Sequence, residues 1–196
     1  MTSWASMLYA VVDVEGNGQQ PPDLVEVAVV PVAAGIIGAP ASWLVKPPRP
    51  VSRIAARIHG LTNEALAAAP AFADIESEVR QALDADVLVA HNAHVDVGVL
   101  RRHLGGWECP EVLDTLKLAR RLLPGQVSYK LGALVTAFSL ADSLPSGLVP
   151  HRATFDALVT ARLFVRLATR HDGSSLSLGE LRGPESGGDR DAETLF

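Results

Sequence analysis

Two acids, Asp13 and Glu15, close an apolar run in the segment Val11-Val12-Asp13-Val14-Glu15-Gly16. In an extended chain alternate residues share a face, so both carboxylates point the same way. Acids held together repel unless a cation lies between them. Hard divalent cations such as Mg²⁺ take oxygen ligands and need only a few carboxylates. The pair alone also fits a solvated surface, although the apolar residues before it weigh against that. A second group is Ala90-His91-Asn92-Ala93-His94-Val95-Asp96. Asp96 is either a further metal ligand or an acid that favours a helix N-terminus. His91 and His94 raise zinc as an alternative, but Cys109 is the only cysteine and no histidine-rich partner motif accompanies them. A third group is Pro150-His151-Arg152-Ala153-Thr154-Phe155-Asp156. Residues five apart on one helix diverge by about 140°. His151 and Asp156 therefore converge only if the histidine lies in a loop and the aspartate on the helix, which Pro150 supports. The plainer alternative is a loop histidine without a task and a solvated helix face.

The elements that would position these groups can be read from periodicity. Apolar and β-branched runs predict strands over 8–12, 24–32 and 41–45, meandering antiparallel around a turn at Gly35-Ile36-Ile37-Gly38. Lys46-Pro47-Pro48-Arg49-Pro50 is a breaker, and Thr62 is expected to open a short helix. Ile75, Val79 and Leu83, spaced four apart, predict a helix over 72–83. A buried strand over 86–90 runs into a helix over 95–104. That junction places Asn92 and Asp96 at the carboxyl edge of a sheet, where ligands bind. A fifth strand is expected over 111–114, then helices over 115–123, 129–138 and 154–169. The expectation is an α/β fold with a mixed five-stranded sheet and helices on both faces. Residues 1–171 would form one domain, and the polar, glycine-rich 172–196 a flexible tail.

The chain has 196 residues, 48% hydrophobic and 20% charged, an ordinary globular balance. One cysteine allows no internal disulfide and fits a reducing compartment. With no basic and apolar leader and no long uncharged apolar stretch, the expectation is a cytoplasmic protein with no membrane partner. The net charge of -5 argues against gripping long nucleic acid over the whole surface. A short stretch bound locally, with metal ions cancelling charge, remains compatible with it.

In order and spacing, the three groups resemble the DnaQ-like, or DEDDh, exonuclease superfamily, whose fold is RNase H-like. Asp13-Val14-Glu15 looks like its first motif and Asn92-Ala93-His94-Val95-Asp96 its second. His151-Arg152-Ala153-Thr154-Phe155-Asp156 looks like its third, in the branch that carries histidine five before the aspartate. Ile58-His59-Gly60-Leu61-Thr62, Ala69-Pro70-Ala71-Phe72 and Asp114-Thr115-Leu116 extend the similarity, which spans 8–167. The resemblance implies a 3′→5′ exonuclease using two divalent ions, Mg²⁺ or Mn²⁺. Asp13, Glu15 and Asp156 would bind the first, and Asp13 would bridge to a second served by Asp96. Two ions about 3.5–4 Å apart can stabilise the attacking and leaving oxygens of an in-line displacement. His151 would take a proton from the attacking water, a task suited to an imidazole with an unperturbed pKa of about 6.5. The backbone of Gly16 to Gly18 and the Leu61 side chain would bound the pocket for the terminal nucleotide. Leu61 fits ordinary core equally well, and Asn92 either contacts substrate or caps its turn. The substrate implied is the 3′ end of single-stranded nucleic acid, with DNA preferred, as for the proofreading subunits of replicative polymerases. A polymerase is then a candidate partner, and RNA trimming is the alternative activity.

Two departures from the family pattern stand out. Gly16-Asn17-Gly18 replaces the usual threonine after the acid pair, losing a hydroxyl and loosening the backbone. Val95 replaces the usual aromatic before the second aspartate. Base stacking on an aromatic is worth about 1–3 kcal/mol, so this bears on substrate affinity rather than metal chemistry. With the acidic charge, the departures motivate a different class: a nucleic-acid-binding or polymerase-associated module with a vestigial nuclease. Retention of all five catalytic-type residues argues against it.

Overall fold

A computed structural model describes residues 3–169, 173–174 and 176–183. The two long apolar runs near the N-terminus become the two longest strands, β1 (Leu8–Gly16) and β2 (Leu24–Ala33), paired antiparallel. β3 (Ile36–Ile37) and β4 (Ala41–Leu44) both pair with the far edge of β2. On the other side of β1 lie β5 (Val87–Ala90) and then β6 (Glu111–Asp114), both parallel. The result is a six-stranded mixed sheet, ordered β3-β2-β1-β5-β6, with β4 also on β2. The strand beyond the expected five is β3. Ala34 and Gly35 both have positive φ, 51° and 75°, which closes a tight hairpin and lets the two isoleucines pair.

Strand alternation divides the interior into two cores. Tyr9 and Val11 of β1, Ala28, Val30 and Val32 of β2, and Val87 and Val89 of β5 line one face. There they pack against α4 (Thr115–Leu122), α5 (Leu131–Phe138) and α6 (Ala153–Ala168). Ala10, Val12, Val27, Val29, Leu88 and Ala90 line the other, against α2 (Phe72–Ala82) and α3 (His94–His103). Helices therefore cover both faces, as expected, and Ala157, Ala161, Phe164 and Ala168 are buried along α6.

Two local expectations needed correction, and one helix was not anticipated. Residues 53–59 form a helix, α1 (Arg53–His59), directly after the proline-rich breaker. Ser52 caps its N-terminus by accepting the Ala55 N–H, and Gly60 ends it in the left-handed conformation at φ 76°. Thr62 opens only a turn: its hydroxyl accepts the Ala65 N–H and its carbonyl the Leu66 N–H, and Pro70 soon follows. Finally, part of the segment expected to be a tail is ordered. α7 (Leu178–Arg182) carries a capping box between Ser177 and Glu180 and buries Leu178 and Leu181. Arg121 donates to the carbonyls of Glu180 and Leu181, and Arg182 pairs with Glu111. Residues 172, 175 and 184–196 of the expected tail lie outside the described residues. Among the described residues, no helix is long and apolar enough to cross a membrane.

Candidate active site

Asp13 and Glu15 continue the alternation of Tyr9 and Val11, so both aim at the face covered by α6. Asp156 stands in the first turn of α6, which brings the third carboxylate to the same place. One oxygen from each of Asp13, Glu15 and Asp156 lies within 4.8 Å of the others. Asp96 arrives from the opposite face. It sits in the first turn of α3, 5% exposed, and its Oδ1 accepts the Val14 N–H at 3.1 Å. The four acids predicted from sequence thus meet at one end of β1, three as a cluster and one reaching the strand edge.

Burial and mutual repulsion disturb all four. Asp13 is pushed well above the carboxylate range by burial and by the charges of Asp96, Asp156, Glu15 and Glu26. Burial raises Glu15 to about 8, with Asp156 and Glu26 adding to the shift and Arg152 opposing it. Asp96 rises to about 7 through burial, opposed by its bond from the Val14 N–H. Burial raises Asp156 to about 6, opposed by the His151 charge and backbone N–H. Two carboxylates about 4 Å apart repel by roughly 4 kcal/mol at an effective dielectric near 20. The cluster must therefore hold protons or a cation. Its donors are all hard oxygens, which fits a divalent ion of the Mg²⁺ or Mn²⁺ kind.

A pH dependence follows. At neutral pH a metal must displace a proton from Glu15, so Mn²⁺ affinity should rise steeply between about pH 6 and 8, with proton release. Titration calorimetry in two buffers of different ionisation enthalpy reads both quantities, and a pH-independent affinity would refute the cluster as the binding site. Because folding raises these pKa values, the metal-free folded chain binds more protons than the unfolded one from about pH 4 to pH 8. Its stability should fall across that window as pH rises.

His151 lies in the loop before α6, exposed, with φ 62°. Its backbone N–H donates to Asp156 Oδ2 at 3.1 Å. Loop histidine and helical aspartate are therefore neighbours, as their spacing required. The β5–α3 turn is held by a residue not singled out for the site, Asp114. Its carboxylate accepts the N–H groups of Asn92, Ala93 and Leu116. Asn92 there adopts φ 67°, a conformation asparagine tolerates well. His91 is engaged with the Thr115 hydroxyl and the Tyr129 carbonyl, while His94 is exposed. Neither joins a cluster of metal-ligand type among the described residues.

The segment after Glu15 is tighter than its two glycines suggest. Asn17 is fully buried. Its side chain donates to the Asp23 carboxylate and the Arg49 carbonyl and accepts the N–H groups of Gln19 and Asp23. Arg49 in turn pairs with Asp23. Gly18 has φ 75°, and a Cβ there would come within 2.3 Å of Ser52 Oγ, so only glycine fits. The expected loosening of this backbone is thus overturned, because the Asn17 side chain satisfies the turn from within. His59, 4% exposed, ties α1 to the same segment. Its Nδ1 accepts the Leu61 N–H, which leaves Nε2 to donate to the Gly16 carbonyl at 3.3 Å. Leu61 is 4% exposed and packs with Val25, Val51, Ala55 and Leu66, in line with the core alternative for that side chain. Val95 is 47% exposed beside Asp96.

Comparison with known proteins places this geometry. The model of the family described as "Exonuclease" matches residues 10–164. Exodeoxyribonuclease 10 of Escherichia coli strain K12 is 35% identical over 176 residues, covering 90% of this chain and 76% of the relative. A PolC-type DNA polymerase III of Thermotoga petrophila is 33% identical over 172 residues, covering 84% of this chain but 12% of the polymerase. Among solved structures, exonuclease X in complex with 5′-overhanging duplex DNA superimposes with a TM-score of 0.71 at 34% identity. That match covers 89% of this chain and 99% of the other.

Proposed function

The chain belongs to the exonuclease family matched over residues 10–164, and from that premise we propose that it removes nucleotides from the 3′ end of single-stranded DNA. The observation that carries this reading is the convergence of Asp13, Glu15 and Asp156 oxygens within 4.8 Å, with Asp96 bonded to the same strand. The preference for DNA is supported by the deoxyribonuclease and DNA-bound relatives. The polymerase relative makes a replicative polymerase a candidate partner. Cytoplasmic location remains part of the proposal, as does a single catalytic domain, extended beyond residue 171 through α7 because Leu176 and Leu181 join the core on the α6 face.

In this reading Asp13, Glu15 and Asp156 would hold one divalent ion, and Asp13 and Asp96 would serve a second. When bound, such ions neutralise charge and act as Lewis acids towards the attacking and leaving oxygens. Mg²⁺ is the proposed resident, with Mn²⁺ as a substitute, since both prefer oxygen donors. His151 accepts the proton of the attacking water. The water oxygen bonds to phosphorus, the bond from phosphorus to the 3′ oxygen of the penultimate nucleotide breaks, that oxygen takes a proton from solvent to become the new 3′ hydroxyl, and a nucleoside 5′-monophosphate leaves. The Asn17-braced backbone from Gly16 to Gly18 forms a rigid wall for the terminal nucleotide. Rigidity matters because misplacement of about 1 Å can cost 100-fold in rate.

Matched 3′-labelled DNA and RNA oligonucleotides, digested side by side with Mg²⁺, Mn²⁺ or a chelator, test the reading. Mononucleotides should appear faster from single-stranded DNA than from RNA and not at all with the chelator. Faster release from RNA would replace DNA degradation by RNA trimming. No release with either metal would leave a binding module with a vestigial nuclease.

A further inference from the structure

The acid cluster is built from two parts of the chain far apart in sequence, and something must hold them in register. Asp13 and Glu15 are fixed by β1, whose pairing with β2 places Glu15 directly opposite Glu26. Asp156 and His151 depend on where α6 begins. The α6 N-cap residue is Arg152, and its side chain makes no cap. The cap comes from β2 instead. Glu26 Oε2 accepts the Ala153 N–H at 2.9 Å and Arg152 Nε at 2.9 Å, while Oε1 accepts Arg152 Nη2 at 2.8 Å. Glu26 is 3% exposed, and its parity in β2 turns it to the α6 face with Ala28 and Val30. Inside α6, the Asp156 N–H donates to the Arg152 carbonyl at 3.0 Å, and the His151 N–H returns to the Asp156 carboxylate.

We propose that Glu26 and Arg152 are the positioning pair of this site: they lock the first turn of α6, and with it Asp156 and His151, against the row of β1 that carries Asp13 and Glu15. The inference rests on the exonuclease reading for its rate effects but not for its effect on metal binding. Two physical points favour positioning over simple stabilisation. A buried ion pair is weak support for stability, because an apolar pair of similar size is often as stable. A bidentate arginine bridge fixes angle as well as distance, which an apolar pair does not.

The test uses two variants of the full chain, Glu26→Gln and the double variant Glu26→Met/Arg152→Met, each first checked for folding by circular dichroism. Removing partners one layer out from a metal site typically costs about 10–100-fold in affinity or activity. Both folded variants should therefore lose roughly that factor in kcat on single-stranded DNA, with KM little changed, and should bind Mn²⁺ more weakly by calorimetry. A folded variant with kcat and Mn²⁺ affinity both near wild type overturns the proposal, whatever its melting temperature. If the double variant does not fold, Glu26→Gln decides alone, since it keeps the shape of the side chain. A wild-type chain that binds Mn²⁺ yet releases no nucleotide would count against the exonuclease reading. The Mn²⁺ comparison between variants would still decide the inference.

Discussion

Asp13→Asn is expected to lower kcat on single-stranded DNA by roughly three orders of magnitude or more while leaving the chain folded. Asp13 stands at the centre of the cluster: Asp96, Asp156, Glu15 and Glu26 all press on its charge. It is the acid placed to serve both proposed ions. Charge stabilisation by such ions is worth several kcal/mol, and each ~1.4 kcal/mol is tenfold in rate. Asparagine has the same shape, so the pairing of Asp13 with Ala28 across β1 and β2 should persist. The substitution also removes an acid whose burial beside other acids works against folding at pH 8. The metal-free variant should therefore melt higher than wild type at that pH, even as activity disappears, the trade expected where function requires a strained site. Calorimetric melting and initial rates on a labelled oligonucleotide check both halves. An Asp13→Asn chain that keeps a tenth of its activity would remove Asp13 from the mechanism.

Periodicity made the site legible where its geometry is local. The i, i+2 spacing of Asp13 and Glu15 gave a shared face directly, and the strand-to-helix junction before Asp96 gave a sheet edge. The helix expected over 154–169 differs from α6 by one residue at each end. What escaped was non-local or short. Glu26 has its partner 126 residues away, and no spacing rule reaches that far. A signal was present all the same, for Glu26 is the one acid within the apolar run Leu24-Val25-Glu26-Val27-Ala28. A charge in a buried strand needs a partner, so its position alone implies a cation facing β2. Helix α1 was missed because seven residues are too few for a periodic signal, although Ser52 and Gly60 mark its ends. α7 was hidden for the same reason. Its capping box at Ser177 and Glu180 lies inside a polar, glycine-rich stretch whose average composition points the other way.

The acidic net charge also takes on a local meaning. Four of the acids that contribute to it are the proposed ligands, and two divalent ions would offset their four charges at the point where a phosphate must enter. Composition averaged over the chain could not separate that cluster from a repulsive surface. The strand and helix positions of Asp13, Glu15, Asp96 and Asp156 do separate it.

His151 should prove separable from the metal site, and its backbone dictates how to show that. At φ 62° the residue occupies the left-handed region, which histidine tolerates better than alanine and which glycine adopts without strain. His151→Ala would thus confound loss of the imidazole with backbone strain of about 1–2 kcal/mol. His151→Gly removes the imidazole and keeps the N–H that holds Asp156 Oδ2. Loss of a general base typically costs about 100- to 10,000-fold. The glycine variant should therefore lose kcat on that scale while binding Mn²⁺ with near wild-type affinity. Added imidazole should restore part of the variant's rate, since the cavity left at an exposed position is open to solvent. Mn²⁺ affinity that falls in step with kcat would mean that His151 holds Asp156 or the ion rather than the proton, and the assignment of the base would have to move elsewhere.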